Sequence, residues 1–169
     1  MKEIWKTIEE ELTGEFARGY ALALFLEEYD IKRECKADGE LLGYEWSDFC
    51  DYGVSSPQEW RDETGYIVCT DEEADARASE YIRESLWAFN TSFLAGQTSL
   101  PEEVFSALQP QCESANDAVR RLIESTCGLN SFVEAAIGAD GRGNFVASYD
   151  HEEHEVQIGT HTFYIYRLN

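Results

Sequence analysis

Apolar and polar positions follow their most regular pattern between Tyr66 and Leu94. The apolar run Tyr66–Cys69 predicts a short strand. Thr70 is followed three residues later by Glu73, a capping-box spacing in which each side chain accepts from the other residue's backbone amide. A helix is therefore predicted to begin at Asp71. Its apolar residues recur at steps of three and four and form one stripe: Ala74, Ala78, Tyr81, Ile82, Leu86, Phe89 and Phe93. Gly96 fits the C-terminal end of this helix.

The first 65 residues combine helical patterns with a loop-rich stretch. Residues 2–12 and 15–29 carry apolar residues at helical spacing, and residues 30–65 are punctuated by glycine, serine and proline. Large rings lie in that loop, among them Trp46, Phe49, Tyr52 and Trp60. They either pin the loop onto the core or form a contact surface with an acidic rim.

The second half of the chain predicts three helices and a hairpin. One helix begins at Pro101 and ends at Pro110, a second covers 113–126, and a third covers 129–137. Two runs rich in aromatic and β-branched residues, 145–149 and 162–166, then predict a hairpin across a polar connector.

The predicted fold class is α+β, with a helical body and a small antiparallel sheet. That sheet contains strand 66–69 and the C-terminal hairpin 144–166. A chain of 169 residues predicts one domain over 1–169, with a helical, loop-rich acidic part at 1–65 and a core at 66–169. No apolar run approaches a membrane span, and the N-terminal residues do not resemble a signal segment, so a cytoplasmic location is expected.

Charge is the extreme property of the sequence. Thirty-four acidic residues stand against thirteen basic ones, a net charge of −21, with −14 on residues 1–90 and −7 on 91–169. This charge repels nucleic acid and anionic lipid and attracts basic surfaces. The alternative is that the acidity serves only solubility.

The five cysteines point away from disulfide and zinc chemistry. Their number is odd and no pair has C-x-x-C spacing, so reduced thiols are expected, several of them buried. No nucleophile elbow, phosphate loop or cysteine–histidine pair is evident, and no cofactor is predicted.

Two places near the C-terminus hold candidate chemistry. Residues 150–155 are acidic and contain His151 and His154, which are weak candidates for metal ligands or, alternatively, solvated residues of a connector. Asp140-Gly141-Arg142-Gly143 reads as a tight turn that uses glycine at positive φ, or as a small anion cradle. Arg167, near a strand end, is expected to pair with a carboxylate.

Four stretches together form a recognisable set: Tyr66 to Asp75, Ser85 to Asn90, Asp140 to Phe145 with Ser148 to Asp150, and Phe163 to Asn169. They resemble a family of small acidic proteins from bacteriophages and mobile elements, over roughly the last hundred residues. Asn144 and His151 depart from that family, in which histidine and glycine often stand at these two positions. The resemblance implies a phage or mobile-element context and no assigned enzymatic activity.

These observations predict a non-enzymatic inhibitor of host defence, of the anti-CRISPR or anti-restriction kind, that mimics DNA. Its partner would be a host nucleic-acid-binding protein such as a defence nuclease or CRISPR effector, met in the host cytoplasm, with no direct contact to nucleic acid or membrane. The alternatives are a small metal-dependent hydrolase that uses region 140–155, and a phage accessory protein that self-associates as a homodimer. The predicted partner-binding residues are Glu9, Glu10, Glu11, Glu40, Glu45, Asp48, Asp51, Asp71, Glu72, Glu73, Asp75 and Glu80.

Overall fold

A computed structural model describes residues 65–158 and 160–168, and a few residues before them. The earlier ones are four helical residues, Arg18, Ala21, Leu22 and Phe25, and the backbone of Val54 and Ser55. The helices predicted over 2–12 and 15–29 and the ring-rich loop 30–65 lie outside the described part of the chain, apart from these six residues and Gly65.

Four strands form one sheet in the order β1-β2-β4-β3. They are β1 (Val54–Ser55), β2 (Tyr66–Cys69), β3 (His154–Ile158) and β4 (His161–Arg167). β2 and β3 each pair antiparallel with β4, while β1 runs parallel to β2. The predicted strand 66–69 and its pairing with the C-terminal hairpin are confirmed.

The helices whose bounds the structure gives follow β2 and precede β3. They are α1 (Asp71–Glu84), α2 (Thr91–Thr98), α3 (Glu102–Leu108), α4 (Asn116–Thr126), α5 (Leu129–Asp140) and the single turn α6 (Gly143–Val146). A mostly helical chain with a small, mainly antiparallel sheet confirms the α+β class.

The long helix predicted from Asp71 to beyond Phe93 is wrong, because α1 ends at Glu84. The hydroxyl of Ser85 donates to the carbonyl of Tyr81 at 2.6 Å, and its N–H is shared between the carbonyls of Tyr81 and Ile82. Such serine bonds compete with the helical ladder. A 3₁₀ turn over Leu86–Ala88 follows, and the apolar stripe continues on separate elements.

α2 begins after its own N-cap residue, which the prediction of a single long helix did not include. The side chain of Asn90 accepts from the N–H of Ser92 at 2.9 Å, as N-cap residues do. Gly96 lies inside α2 and is not the predicted stop; the helix ends at Thr98, and Ser99 takes the left-handed conformation with φ 58°.

The first strand of the predicted hairpin is also wrong. Phe145, Val146 and Ala147 are all buried, and the first two belong to α6. Three consecutive buried residues do not alternate, so this short apolar run packs a helical turn and not a half-exposed strand. The hairpin partner of β4 is β3, which lies in the predicted polar connector and pairs Val156 with Phe163.

The chain divides into two compact units. The sheet unit comprises residues 1–75 and 142–169, and the helical unit comprises residues 76–141. The sheet unit buries Ile67, Val68, Phe163, Ile165 and Tyr166 completely or nearly so, and the helical unit buries Leu86, Leu94, Phe105, Ile123 and Phe132 to the same degree. The prediction of one domain stays a prediction.

Candidate functional site

The start of α1 is where the structure places most of the described partner-binding residues. Asp71, Glu72, Asp75 and Glu80 are exposed, whereas Glu73 is half-buried. The other predicted residues lie outside the described part of the chain: Glu9, Glu10, Glu11, Glu40, Glu45, Asp48 and Asp51.

Glu73 is held inside the fold by two groups. The predicted capping box is present: the Thr70 N–H donates to the Glu73 carboxylate at 2.9 Å, and the Glu73 N–H donates to the Thr70 hydroxyl at 3.4 Å. The buried guanidinium of Arg18 then donates to both Glu73 oxygens, at 2.7 and 2.8 Å, and to the carbonyl of Val68. This bidentate pair anchors Glu73 structurally, so Glu73 contributes little to any partner surface.

The Glu73 carboxylate makes stability depend on pH. Partial burial acts to raise its pKa, but hydrogen bonds from Arg18 and Thr70 outweigh burial and leave the pKa below the ordinary 4.5. Because the folded pKa is lowered, the stabilisation is present above pH 4.5 and is lost as pH falls through the folded pKa.

We expect Glu73→Gln to destabilise the protein by about 1.5 kcal/mol at neutral pH, the size of a charge-assisted hydrogen bond. The difference from wild type should shrink as pH falls below 4.5 and through the lowered folded pKa, because the wild-type carboxyl is progressively protonated over that range. Urea unfolding at several pH values measures this difference in stability, and Glu72→Gln, at an exposed position, is the matched control. A difference that is constant with pH would contradict the linkage.

Arg142, placed just before α6, is the centre of the densest charge cluster among the described residues. Its Nε and Nη2 donate to the two carboxylate oxygens of Glu153 at 2.8 and 3.0 Å. Its Nη1 donates to the carboxylates of Asp71, at 2.7 Å, and Asp75, at 3.0 Å. Only 12% of the side chain is exposed. We call these four residues the Arg142 cluster.

Two tyrosines of β4 complete the surroundings of the cluster. The guanidinium carbon of Arg142 lies 4.2 Å from the centre of the Tyr164 ring, and the Tyr166 hydroxyl donates to Glu153 at 2.5 Å. Three carboxylates thus face one guanidinium, and an aromatic face adds a cation–π contact.

The pKa directions in this cluster favour fixed protonation states. Hydrogen bonding to Arg142 lowers the pKa of Asp71, while burial and the bond to Glu153 raise the pKa of Tyr166. Burial acts to lower the pKa of Arg142, but its bonds to Glu153 and Asp71 outweigh this and raise it. The pKa of each of these three groups is therefore moved further from neutral pH, and the cluster suits holding elements together better than transferring protons.

The turn before α6 uses its glycines in two ways. Gly141 has φ 77°, as the turn interpretation requires. Gly143 does not adopt positive φ and is needed for space, because a Cβ there would lie 2.7 Å from the carbonyl oxygen of His151. Arg142 is engaged by carboxylates, which disfavours the alternative of an anion cradle.

The two candidate metal-binding histidines have different surroundings. His151 is exposed, with φ 62°. His154 is half-buried, with its ring 4.8 Å from that of Phe25 and its Nε2 3.8 Å from Asp150 and 3.9 Å from Glu152. Within the described residues, no three His, Cys, Asp or Glu side chains converge as a metal site requires.

The chain was compared with models of protein families, with curated proteins and with solved structures. None of them matches. The resemblance to phage and mobile-element proteins therefore stays a prediction. In the part of the chain that the structure describes, no helix has both the length and the apolar character needed to cross a membrane.

Arginine placement is the feature that sequence reasoning missed. Arg18 and Arg77 are buried, and Arg83, Arg120, Arg142 and Arg167 are half-buried, which leaves Arg121 as the exposed one among the described arginines. Arg167, expected to pair with a carboxylate, stacks on the ring of Tyr149 at 3.9 Å. A compositional signal existed: after Lys36 every basic residue is arginine, the residue suited to bidentate and stacked contacts.

Proposed function

We propose that this protein is a non-enzymatic inhibitor whose acidic surface occupies the basic nucleic-acid-binding site of another protein. The observation that carries the proposal is a difference in exposure between the acidic side chains and the arginines. Between residues 65 and 168, all aspartates and glutamates except Glu73, Asp150 and Glu153 are exposed, while all arginines except Arg121 are turned at least partly inward. The described surface is therefore more negative than the composition alone would make it.

The helical unit displays this separation most clearly. Arg83 and Arg120 of this unit are half-buried and hydrogen-bonded: Arg83 donates to the Asn130 side chain at 2.8 Å, and Arg120 donates to the carbonyl of Arg83 at 2.9 Å. All of its acidic residues are exposed: Glu80, Glu84, Glu102, Glu103, Glu113, Asp117, Glu124, Glu134 and Asp140. These carboxylates lie at the surface of the helical unit, where Glu80 also contacts Arg77 at 3.5 Å and Glu102 accepts from the Thr91 hydroxyl at 2.6 Å.

The physical basis of the proposal is substitution of carboxylates for phosphates. A basic groove that binds a polynucleotide releases counterions when phosphates enter it, and a dense carboxylate surface can do the same. Within the predicted site, Asp71 and Asp75 are bonded to Arg142 and Glu73 to Arg18, so these three contribute less than the exposed Glu72. Glu80 is exposed too, but its carboxylate lies 3.5 Å from the guanidinium of Arg77. A defence nuclease or a CRISPR effector is the class of partner that fits, and the mobile-element resemblance supports that context.

We expect the protein to compete with DNA for such an effector, with an affinity that falls by about a hundredfold or more between 50 and 200 mM salt. Competition binding with labelled duplex DNA measures this, and the protein alone with DNA is the negative control. An affinity that does not change with salt would contradict the mechanism.

Two substitutions three residues apart on α4 provide a matched test of charge. Glu124→Gln removes an exposed negative charge and should weaken binding, whereas Arg121→Gln removes an exposed positive charge and should strengthen it. Each effect is expected to be about two- to fivefold and to shrink at high salt. Equal effects of the two substitutions would show that charge is not what the partner recognises.

A further inference from the structure

The loop that joins α6 to β3, residues 147–153, is fixed by hydrogen bonds to the end of the chain. The N–H of Tyr149 donates to the carbonyl of Arg167 at 3.2 Å. The hydroxyl of Ser148 donates to the carbonyl of Leu168 at 2.7 Å. We call this segment the Tyr149 loop; its backbone path is set before any partner arrives.

The far side of the Tyr149 loop is equally constrained. The N–H of His151 donates to the carbonyl of Ala147, and the N–H of Glu152 donates to the Asp150 side chain at 3.1 Å. The backbone of Gly143 lies directly beneath it, and His151 adopts a left-handed conformation that is uncommon outside glycine. A loop held this firmly loses little conformational entropy on binding.

Tyr149 projects from this rigid loop into solvent. Its side chain is 57% exposed, more than any other large hydrophobic side chain that the structure describes. The guanidinium of Arg167 lies 3.9 Å from the ring centre and covers one face. The ring is thus oriented by a stacking partner and not by burial in the core, and an oriented, exposed tyrosine is typical of binding hot spots.

The charges around Tyr149 select the kind of partner. Asp150 is half-buried in the same loop, and the carboxylate side chain of Glu152 is 69% exposed. An aromatic face attracts cations, and neighbouring carboxylates strengthen that preference. We propose that the exposed face of Tyr149 binds an arginine side chain of the basic partner, with Glu152 as its counter-charge. This rests on the proposed function and names one of its contacts.

A nona-arginine peptide is the probe, with the intact chain at about 150 mM salt, where unspecific surface attraction is partly screened. Isothermal titration calorimetry gives the affinity for the peptide, and NMR of ¹³C-labelled tyrosine rings shows which tyrosine the peptide contacts. We expect Tyr149→Leu to weaken binding about two- to fivefold and Tyr149→Phe, which keeps the aromatic face, to leave it unchanged. Tyr81→Leu is the matched control, because Tyr81 is 43% exposed on α1.

The outcomes separate this inference from the function on which it rests. Two results would show that the arginine–ring contact is wrong while the acidic-surface proposal stands. In one, the peptide binds Tyr149→Leu with wild-type affinity. In the other, Tyr149→Phe loses as much affinity for the peptide as Tyr149→Leu. If the peptide does not bind even the wild-type chain, the acidic-surface proposal fails and this contact fails with it. Selective ring shifts at Tyr149, absent at Tyr81, support the contact.

Discussion

Replacing Arg142 with methionine is expected to lower the free energy of unfolding by about 3 kcal/mol. The substitution removes the guanidinium while Glu153, Asp71 and Asp75 stay crowded around its place. Glu153 would be affected most, because its side chain is only 25% exposed. Of the hydrogen bonds described for the cluster, its carboxylate would keep only the one from the Tyr166 hydroxyl. Removing one partner of a buried ion pair costs more than the pair itself contributes, since the remaining charge is left desolvated.

Two controls make the Arg142 result specific. Arg142→Lys keeps the charge but loses the bidentate geometry, so it should fall between wild type and Arg142→Met. Arg121→Met removes an exposed arginine and should change stability by less than about 0.5 kcal/mol. Urea unfolding of the three variants measures this series. Equal stabilities for Arg142→Met and Arg121→Met would mean that the cluster contributes nothing to the fold.

Local rules explain which parts of the fold the sequence predicted well. The strand Tyr66–Cys69, the capping box of Thr70 and Glu73, and the start of α1 depend on residues within a few positions of one another. At the end of α1, two local sequence signals conflict. The apolar stripe favours continuation through Leu86, whereas Ser85 and the Asn90 cap favour a break, and the break prevails.

The candidate site was harder to predict because its contacts are distant in sequence. Arg142 bonds to Glu153 eleven positions away and to Asp71 seventy-one positions away, and no periodic pattern connects them. Composition predicts an excess of carboxylates, but only the fold determines which of them are neutralised. The sequence therefore indicated the sign of the surface and could not separate engaged residues such as Glu73 from exposed ones such as Glu72.

A second large effect is expected at Gly143. A Cβ at this position would lie 2.7 Å from the backbone of both His151 and Glu152 and 2.8 Å from the nitrogen of Glu153. Backbone cannot yield as a flexible side chain does, so Gly143→Ala should destabilise the protein by about 2 kcal/mol. Gly138 in α5 is the matched control: no atom lies within 4 Å of its added Cβ, so Gly138→Ala should stabilise the helix by about 0.5 kcal/mol. Two substitutions of the same sign and size would contradict the packing argument.

Gly143→Ala and Arg142→Met are also expected to be non-additive. The alanine pushes on the backbone of residues 151–153, which carries Glu153 away from Arg142, so much of the ion pair is already lost before the arginine is removed. The double variant should be more stable than the sum of the two single losses implies, by about 1 kcal/mol. A strictly additive double-mutant cycle would show that the glycine and the arginine hold the Tyr149 loop independently. A double variant that is more stable than additivity implies would identify the close approach at Gly143 as the feature that places Glu153 within reach of the guanidinium.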